Sequence, residues 1–309
     1  MASFRARLLD RALRILTARK INPGTDPRII RDKINRFVKR YRKPPRGVTI
    51  EHVDIDGIPA EIITPEGRTP ERTLLYLHGG GYILCSPDTH RPLVSALSKK
   101  SGSRALLIDY RLAPEHPFPA AIDDAVKAYR WLIAQGTDPK TITLAGDSAG
   151  GGLTMATLFS LRDAGDPMPA GAALLSPWTD LAMSGASHIT HQKRDPMLSV
   201  EGALIGARHY LGGASPTNPL ASPLYGNFDG LPPLFIHVGG NEILLDDSLR
   251  LAERAKAAGV EVTLKVWPDM PHVFQAARFL PEARSSVNEI AAFLARVPRK
   301  SDLANSAAD

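Results

Sequence analysis

From residue 48 onward, short apolar runs alternate with longer stretches in which apolar positions recur every three or four residues. Val48 to Val53 and Ala60 to Ile63 predict an opening pair of strands, with Asp56-Gly57 as the turn between them. Leu74 to Leu77 and Ala105 to Ile108 are near-continuous apolar runs, the pattern of strands buried on both faces. Ile122, Ala125, Val126, Tyr129 and Leu132 then predict a helix over 120–134. Strands over 141–145, 171–175, 234–238 and 261–266 follow, with helices over 149–163, 247–258 and 282–296. Strand alternating with helix predicts an α/β fold, a mainly parallel sheet with helices on both faces.

Two stretches break the rhythm. Between Pro177 and Leu234 nearly sixty residues carry no clear strand, and Met183, Met197, Leu204, Ile205, Tyr210 and Leu211 are scattered among polar positions. A structureless loop of that length is unusual inside a domain, so an inserted helical segment is expected. The other stretch is the N-terminus. Phe4, Leu8, Leu9, Leu13, Ile15 and Leu16 interleave with arginines at helical spacing, which predicts a helix docking one apolar face on the body. A second basic helical stretch runs from about Asp26 to Tyr41. The two stretches together predict a cap: residues 1–46 and 179–225 over a catalytic domain of 47–178 and 226–299, with a flexible tail at 300–309.

Charge sharpens this division. Residues 1–46 hold 15 Lys/Arg against 3 Asp/Glu, a balance of +12, and the remainder holds 23 against 29, a balance of −6. A basic arm usually suggests nucleic acid, but the interleaved apolar residues favour a docked helix, with a membrane surface as the second reading. No nucleic-acid partner is expected. No run approaches ~18 apolar residues, so no stable membrane insertion is expected either. The single cysteine, Cys85, excludes an intrachain disulfide framework and suggests a reducing, cytoplasmic location.

The chemistry concentrates in three places. Gly146-Asp147-Ser148-Ala149-Gly150 follows a predicted strand and opens a predicted helix, the context of a nucleophile elbow. His78-Gly79-Gly80-Gly81 directly follows strand 74–77, where side-chain-free amides suit a developing oxyanion. Gly79, Gly80 and Ala149 are the expected donors. With an elbow serine the chain order is serine, acid, histidine. His272, in the turn-forming Asp269-Met270-Pro271-His272-Val273-Phe274, suits the base, whereas His237 lies inside an apolar strand and reads as structural. For the acid, Glu242 lies nearest the end of strand 234–238, while Asp246 and Asp247 read as first-turn helix residues. His188, His191, Asp195 and His209 lack any recognised metal-ligand pairing, so no metal is expected.

This ordered set resembles the hormone-sensitive lipase family of α/β-hydrolases, the bacterial family IV esterases of the GDSAG type. The resemblance spans about 46–297 and includes Asp109-Tyr110-Arg111-Leu112-Ala113-Pro114-Glu115-His116-Pro117-Phe118-Pro119-Ala120-Ala121 and Gly146 to Gly151. It implies an α/β-hydrolase fold with a helical cap and a carboxylesterase acting on small esters of short to medium acyl chains, without a cofactor. It assigns Ser148 as nucleophile, Glu242 as acid and His272 as base. Asp147, Tyr110, Glu115 and His116 are expected to brace the loops around the elbow, and His78 and Gly81 to support the glycine loop. The family usually carries Asp-Pro-Leu where this chain has Glu242-Ile243-Leu244, which keeps Asp246 as the alternative acid. An acyltransferase, a peptidase, or a non-catalytic receptor such as the gibberellin receptors on this fold are the competing functions. Met197, Leu204, Ile205, Tyr210 and Leu220 are candidates to line an acyl site. Related proteins often dimerise through the sheet edge, so a homodimer is a candidate assembly.

Overall fold

The computed structural model describes residues 2–17, 25–41 and 45–306. Two helices come first, α1 (Phe4–Thr17) and α2 (Pro27–Tyr41). Strands β1 (Val48–Ile55) and β2 (Ile58–Pro65) form an antiparallel hairpin, Ile55 paired with Ile58 across the turn. Asp56 and Gly57 both have positive φ, 47° and 92°, as a two-residue hairpin turn of right-handed twist requires.

Alternation then takes over: β3 (Thr73–Leu77), α3 (Pro87–Ser101), β4 (Arg104–Ile108), α4 (Ala120–Ala134), β5 (Ile142–Asp147), α5 (Ala149–Asp163) and β6 (Gly171–Leu175). After helices α6 (Ser187–Thr190) and α7 (Val200–Leu211) come β7 (Leu234–Gly239), α8 (Leu245–Ala257), β8 (Val262–Trp267), α9 (Pro281–Leu294) and α10 (Lys300–Ser306). The eight strands lie in the order β1-β2-β4-β3-β5-β6-β7-β8, parallel except where β2 meets β1 and β4. This is an α/β-hydrolase sheet.

Successive side chains of a strand face opposite ways, and the core divides accordingly. Leu75, Leu77, Leu144 and Ile236 pack with α4, α5 and α8, whereas Leu74, Tyr76, Ala145 and Phe235 pack with α3 and α9. Both faces of β3 to β7 are covered, so these inner strands are buried almost throughout, whereas the edge strands β1 and β8 alternate. The loops at the carboxyl ends of β3, β5, β6, β7 and β8 gather at one edge, where open α/β sheets place their ligands.

Three expectations need correction. Helix α3 has no counterpart in the hydrophobic pattern, because Arg91, Ser95, Ser98 and Ser101 are buried in it and Pro92 interrupts it. The tail from residue 300 begins as helix α10, while 307–309 lie outside the described residues. The docking face of α1 is also narrower than its apolar content suggests. Ala6 and Leu9 pack with Trp267, Met270, Phe274 and Leu280, but Phe4, Leu8 and Ile15 point to solvent. The side chain of Leu16 lies outside the described residues.

Candidate active site

Ser148 sits between β5 and α5 at φ 54°, ψ −124°, a region costly for any residue with a Cβ. The strain is held by its neighbours. Ser148 N–H donates to the Leu175 carbonyl (2.9 Å), and its own carbonyl accepts from Trp178 N–H (2.8 Å) and Gly151 N–H (2.9 Å). Close approach explains the flanking glycines: a Cβ at Gly146 would run into the Gly150 carbonyl, and one at Gly150 into the Leu77 carbonyl.

His272, in the loop after β8, lines the same cavity as Ser148. Its Nδ1 lies 2.6 Å from Glu242 Oε2, the geometry of Nδ1–H donating to a carboxylate and leaving Nε2 as acceptor. Burial alone would lower the His272 pKa, but the Glu242 charge and hydrogen bond outweigh it and hold the imidazole above its ordinary value. Glu242 is fully buried, and its other oxygen, Oε1, accepts from Ser176 Oγ–H (2.6 Å) and Gly239 N–H (2.5 Å). Every polar atom of that carboxylate is therefore satisfied. Asp246 is placed elsewhere, accepting from Ser187 N–H (2.9 Å), so the alternative acid does not reach the histidine.

The glycine loop departs from expectation at one position. Gly79 N–H donates to Asp147 Oδ1 (3.2 Å) and Gly79 does not line the cavity, so this amide is already engaged. Gly80 and Gly81 line the cavity instead, and their amides, like that of Ala149, have no protein acceptor among the described residues. Gly80, at φ 122°, takes a conformation that L side chains avoid, and its carbonyl is held by the amides of Ile83 and Leu84.

Asp147 is the hub beneath this loop. It accepts from Tyr76 Oη–H (2.8 Å) and faces His90 Nε2 at 3.2 Å, besides holding Gly79. Burial would raise its pKa, but His90 and the hydrogen bonds overcome this and keep it below the usual carboxylate range. His78 is buried with Nδ1 2.8 Å from the Gly79 carbonyl, and burial pushes its pKa down to about 3. Tyr110 stacks on that ring at 4.3 Å between centroids and donates its hydroxyl to the His78 carbonyl (2.6 Å). His78, Tyr110 and Asp147 thus brace the loop. Glu115 and His116 do not: both are exposed, and Glu115 pairs with Arg31 of α2, tying that helix to the body.

Two residues of the site carry no motif of their own. His90, on α3, supports Asp147, and its position inside an otherwise unremarkable helix gives no spacing signal. Ser176 clamps Glu242 from the end of β6 and accepts from Val273 N–H (3.3 Å). The only hint in the chain is a serine directly after an apolar strand.

The cavity measures 420 Å³ and is largely apolar. Of the expected lining residues only Met197 reaches it. Helix α7 turns its small residues Gly202, Ala203 and Gly206 inward, leaves Leu204 exposed, and buries Tyr210 in a stack on Tyr82 with centroids 3.6 Å apart. Leu220 borders a different, open groove. Cys85 also lines the active-site cavity, and burial raises its thiol to about 11. His188 is engaged by Asp247 (3.0 Å), and Asp195 by the amides of Met197, Leu198 and Ile243. Among the described residues no cluster is placed to hold a metal ion.

A family profile described as the alpha/beta hydrolase fold matches residues 74–276. The chain belongs to the α/β-hydrolase family. An acetyl-hydrolase of Streptomyces hygroscopicus is 47% identical over 275 residues, covering 88% of this chain and 90% of that protein. An esterase of Acinetobacter venetianus is 36% identical over 269 residues, covering 86% and 88%. The crystal structure of an esterase from the bacterial hormone-sensitive lipase family superposes with a TM-score of 0.90 at 43% identity, covering 96% of this chain and 99% of that one. Within the α/β-hydrolases the chain groups with these esterases, and it is an ester hydrolase.

Proposed function

We propose that this α/β-hydrolase cleaves carboxylic esters of short to medium acyl chains through Ser148, His272 and Glu242. The observation that carries the reading is the His272–Glu242 contact facing the same cavity as the strained Ser148. Ser148 Oγ attacks the ester carbonyl carbon while His272 Nε2 takes its proton. The tetrahedral oxyanion is held by the amides of Gly80, Gly81 and Ala149. As the C–O bond to the alcohol breaks, His272 returns the proton to the leaving oxygen. Water, deprotonated by the same imidazole, then releases the carboxylic acid and restores Ser148. No step needs a cofactor.

We read α1, α2 and residues 179–225 as a cap over this cavity. Arg14 supports that reading, since it donates to the carbonyls of Lys193 (2.8 Å) and Arg194 (2.6 Å) and so joins α1 to the insertion. The cavity volume and the small residues of α7 suit a linear acyl chain of a few carbons. Among the described residues no helix is long and apolar enough to cross a membrane; with one free cysteine, we place the enzyme in the cytoplasm. The free edge of β8 is where a homodimer would form, and sedimentation velocity reads that state.

Initial rates on nitrophenyl esters from acetyl to palmitoyl test the reading, with Ser148→Ala as control. Turnover peaking at short or medium chains and lost in the variant supports it. Ser148-independent turnover, or a peak at palmitoyl, overturns the mechanism or the chain length respectively.

A further inference from the structure

Among the described residues the outward face of α1 has no apolar partner, which the cap does not explain. Phe4, Leu8 and Ile15 are 74%, 58% and 73% exposed, and at 100° per residue they fall in one narrow stripe of the helix. Arg7 and Arg11 border this stripe, and neither has an acidic partner among the described residues. On the other side Arg5 reaches the carbonyl of Phe279 (3.3 Å), itself an exposed aromatic. The inward face of the same helix is occupied, with Ala6 and Leu9 against Met270 and Phe274.

An apolar stripe edged by arginines is the pattern of a helix lying in a bilayer interface. The charge of the whole chain agrees. Residues 1–46 carry +12 against −6 for the rest, so an anionic surface attracts the N-terminal segment more than the remainder of the chain. A second copy of the chain would set the same arginines against each other across a symmetric contact, which disfavours self-association. Nucleic acid would satisfy the arginines but leave Phe4, Leu8 and Ile15 in water.

We propose that the outer face of α1 docks the protein on an anionic phospholipid surface. The position of the helix gives the contact a use. Met270 and Phe274, on which α1 packs, flank His272 and Val273 in the cavity wall, and Arg14 holds the segment just before the cavity residue Met197. Docking through α1 therefore holds the cavity wall close to the lipid surface, near any acyl ester partitioned into it.

Co-sedimentation of the full chain with vesicles of phosphatidylcholine alone, and of phosphatidylcholine mixed with phosphatidylglycerol, tests this directly. Binding is expected to the mixed vesicles and to fall as salt is raised. R7E/R11E should lower the affinity at least tenfold, since each basic residue near an anionic surface contributes about a fivefold factor. L8S/I15S, which keeps the charge, should lower it by more than about tenfold through lost apolar burial. Both variants should hydrolyse a soluble acetyl ester at the parent rate, which confirms that they fold. Ser148→Ala should bind as the parent does, so the result stands apart from the proposed catalytic mechanism. Equal binding to neutral vesicles, no binding to mixed vesicles, or binding unchanged in both variants overturns the proposal. So does a concentration-dependent dimer in sedimentation velocity that L8S/I15S abolishes, which would assign the stripe to a second copy.

Discussion

Replacing Glu242 by glutamine exchanges one oxygen for an NH₂ group and redraws the protons of the site. Ser176 and Gly239 both donate to Oε1, so the glutamine oxygen is held there and its NH₂ must face His272 Nδ1, now 2.6 Å from Oε2. An NH₂ donates, so Nδ1 must accept, and the neutral imidazole carries its proton on Nε2 instead. That nitrogen can no longer take the Ser148 proton. The equivalent carboxylate-to-amide exchange in serine proteases lowers kcat by ~10⁴ through the same tautomer error, about 5.5 kcal/mol of transition-state stabilisation. E242Q should therefore fold normally and lose about four decades of kcat on nitrophenyl butyrate. Asp246→Asn, which alters only the contact with Ser187, should stay within a few-fold of the parent. Retention of more than about a tenth of the parent kcat by E242Q, or an equal loss in D246N, would refute the assignment.

The pH profile follows from the same contact. His272 must be neutral to act as base, and Glu242 holds its pKa above the ordinary value. The acid limb of kcat/KM should then fall through a pKa above ~6.5 as pH drops, with a plateau on the alkaline side; a limb below that value would contradict the coupling. Ala203→Phe projects a ring from α7 into the cavity and should cost hexanoyl esters roughly tenfold or more relative to acetyl esters, read as a ratio of kcat/KM values. Arg91→Met removes the buried cation paired with Glu61 (Nε–Oε2 2.6 Å), leaving that carboxylate, among the described residues, only His52 at 3.8 Å. It should cost about 3 kcal/mol and lower Tm by roughly 5 °C in a thermal melt.

Much of the fold was legible because its strands are buried on both faces. Runs such as Leu74 to Leu77 and Leu234 to Val238 state their own environment, and helices α4, α5, α8 and α9 lie within a few residues of the expected bounds. Helix α3 was not legible, since its buried positions include three serines and Arg91, and Arg91 and Ser98 find partners on the distant strand β2, at Glu61 and Ile63. In the site, order and loop position singled out Ser148, His272 and Glu242, and the structure brings His272 to Glu242 beside the cavity that Ser148 lines. The choice of glycine amides could not, because it depends on Asp147 reaching across from β5 to take Gly79. Ser176 and His90 were hidden for the same reason: each acts through a residue far away in the chain. The stripe of α1 shows the opposite error, since periodicity marks an apolar face but not whether the protein supplies its partner.

Treatment with a fluorophosphonate, followed by intact-mass measurement and peptide mapping, tests the central claim most directly. The reagent phosphonylates a serine only where a neighbouring base and oxyanion donors activate it. One adduct per chain, on Ser148, with loss of esterase activity in step and no labelling of Ser148→Ala, is the expected result. Inactivation with the adduct on another residue, or full activity in a chain labelled at Ser148, would contradict the account.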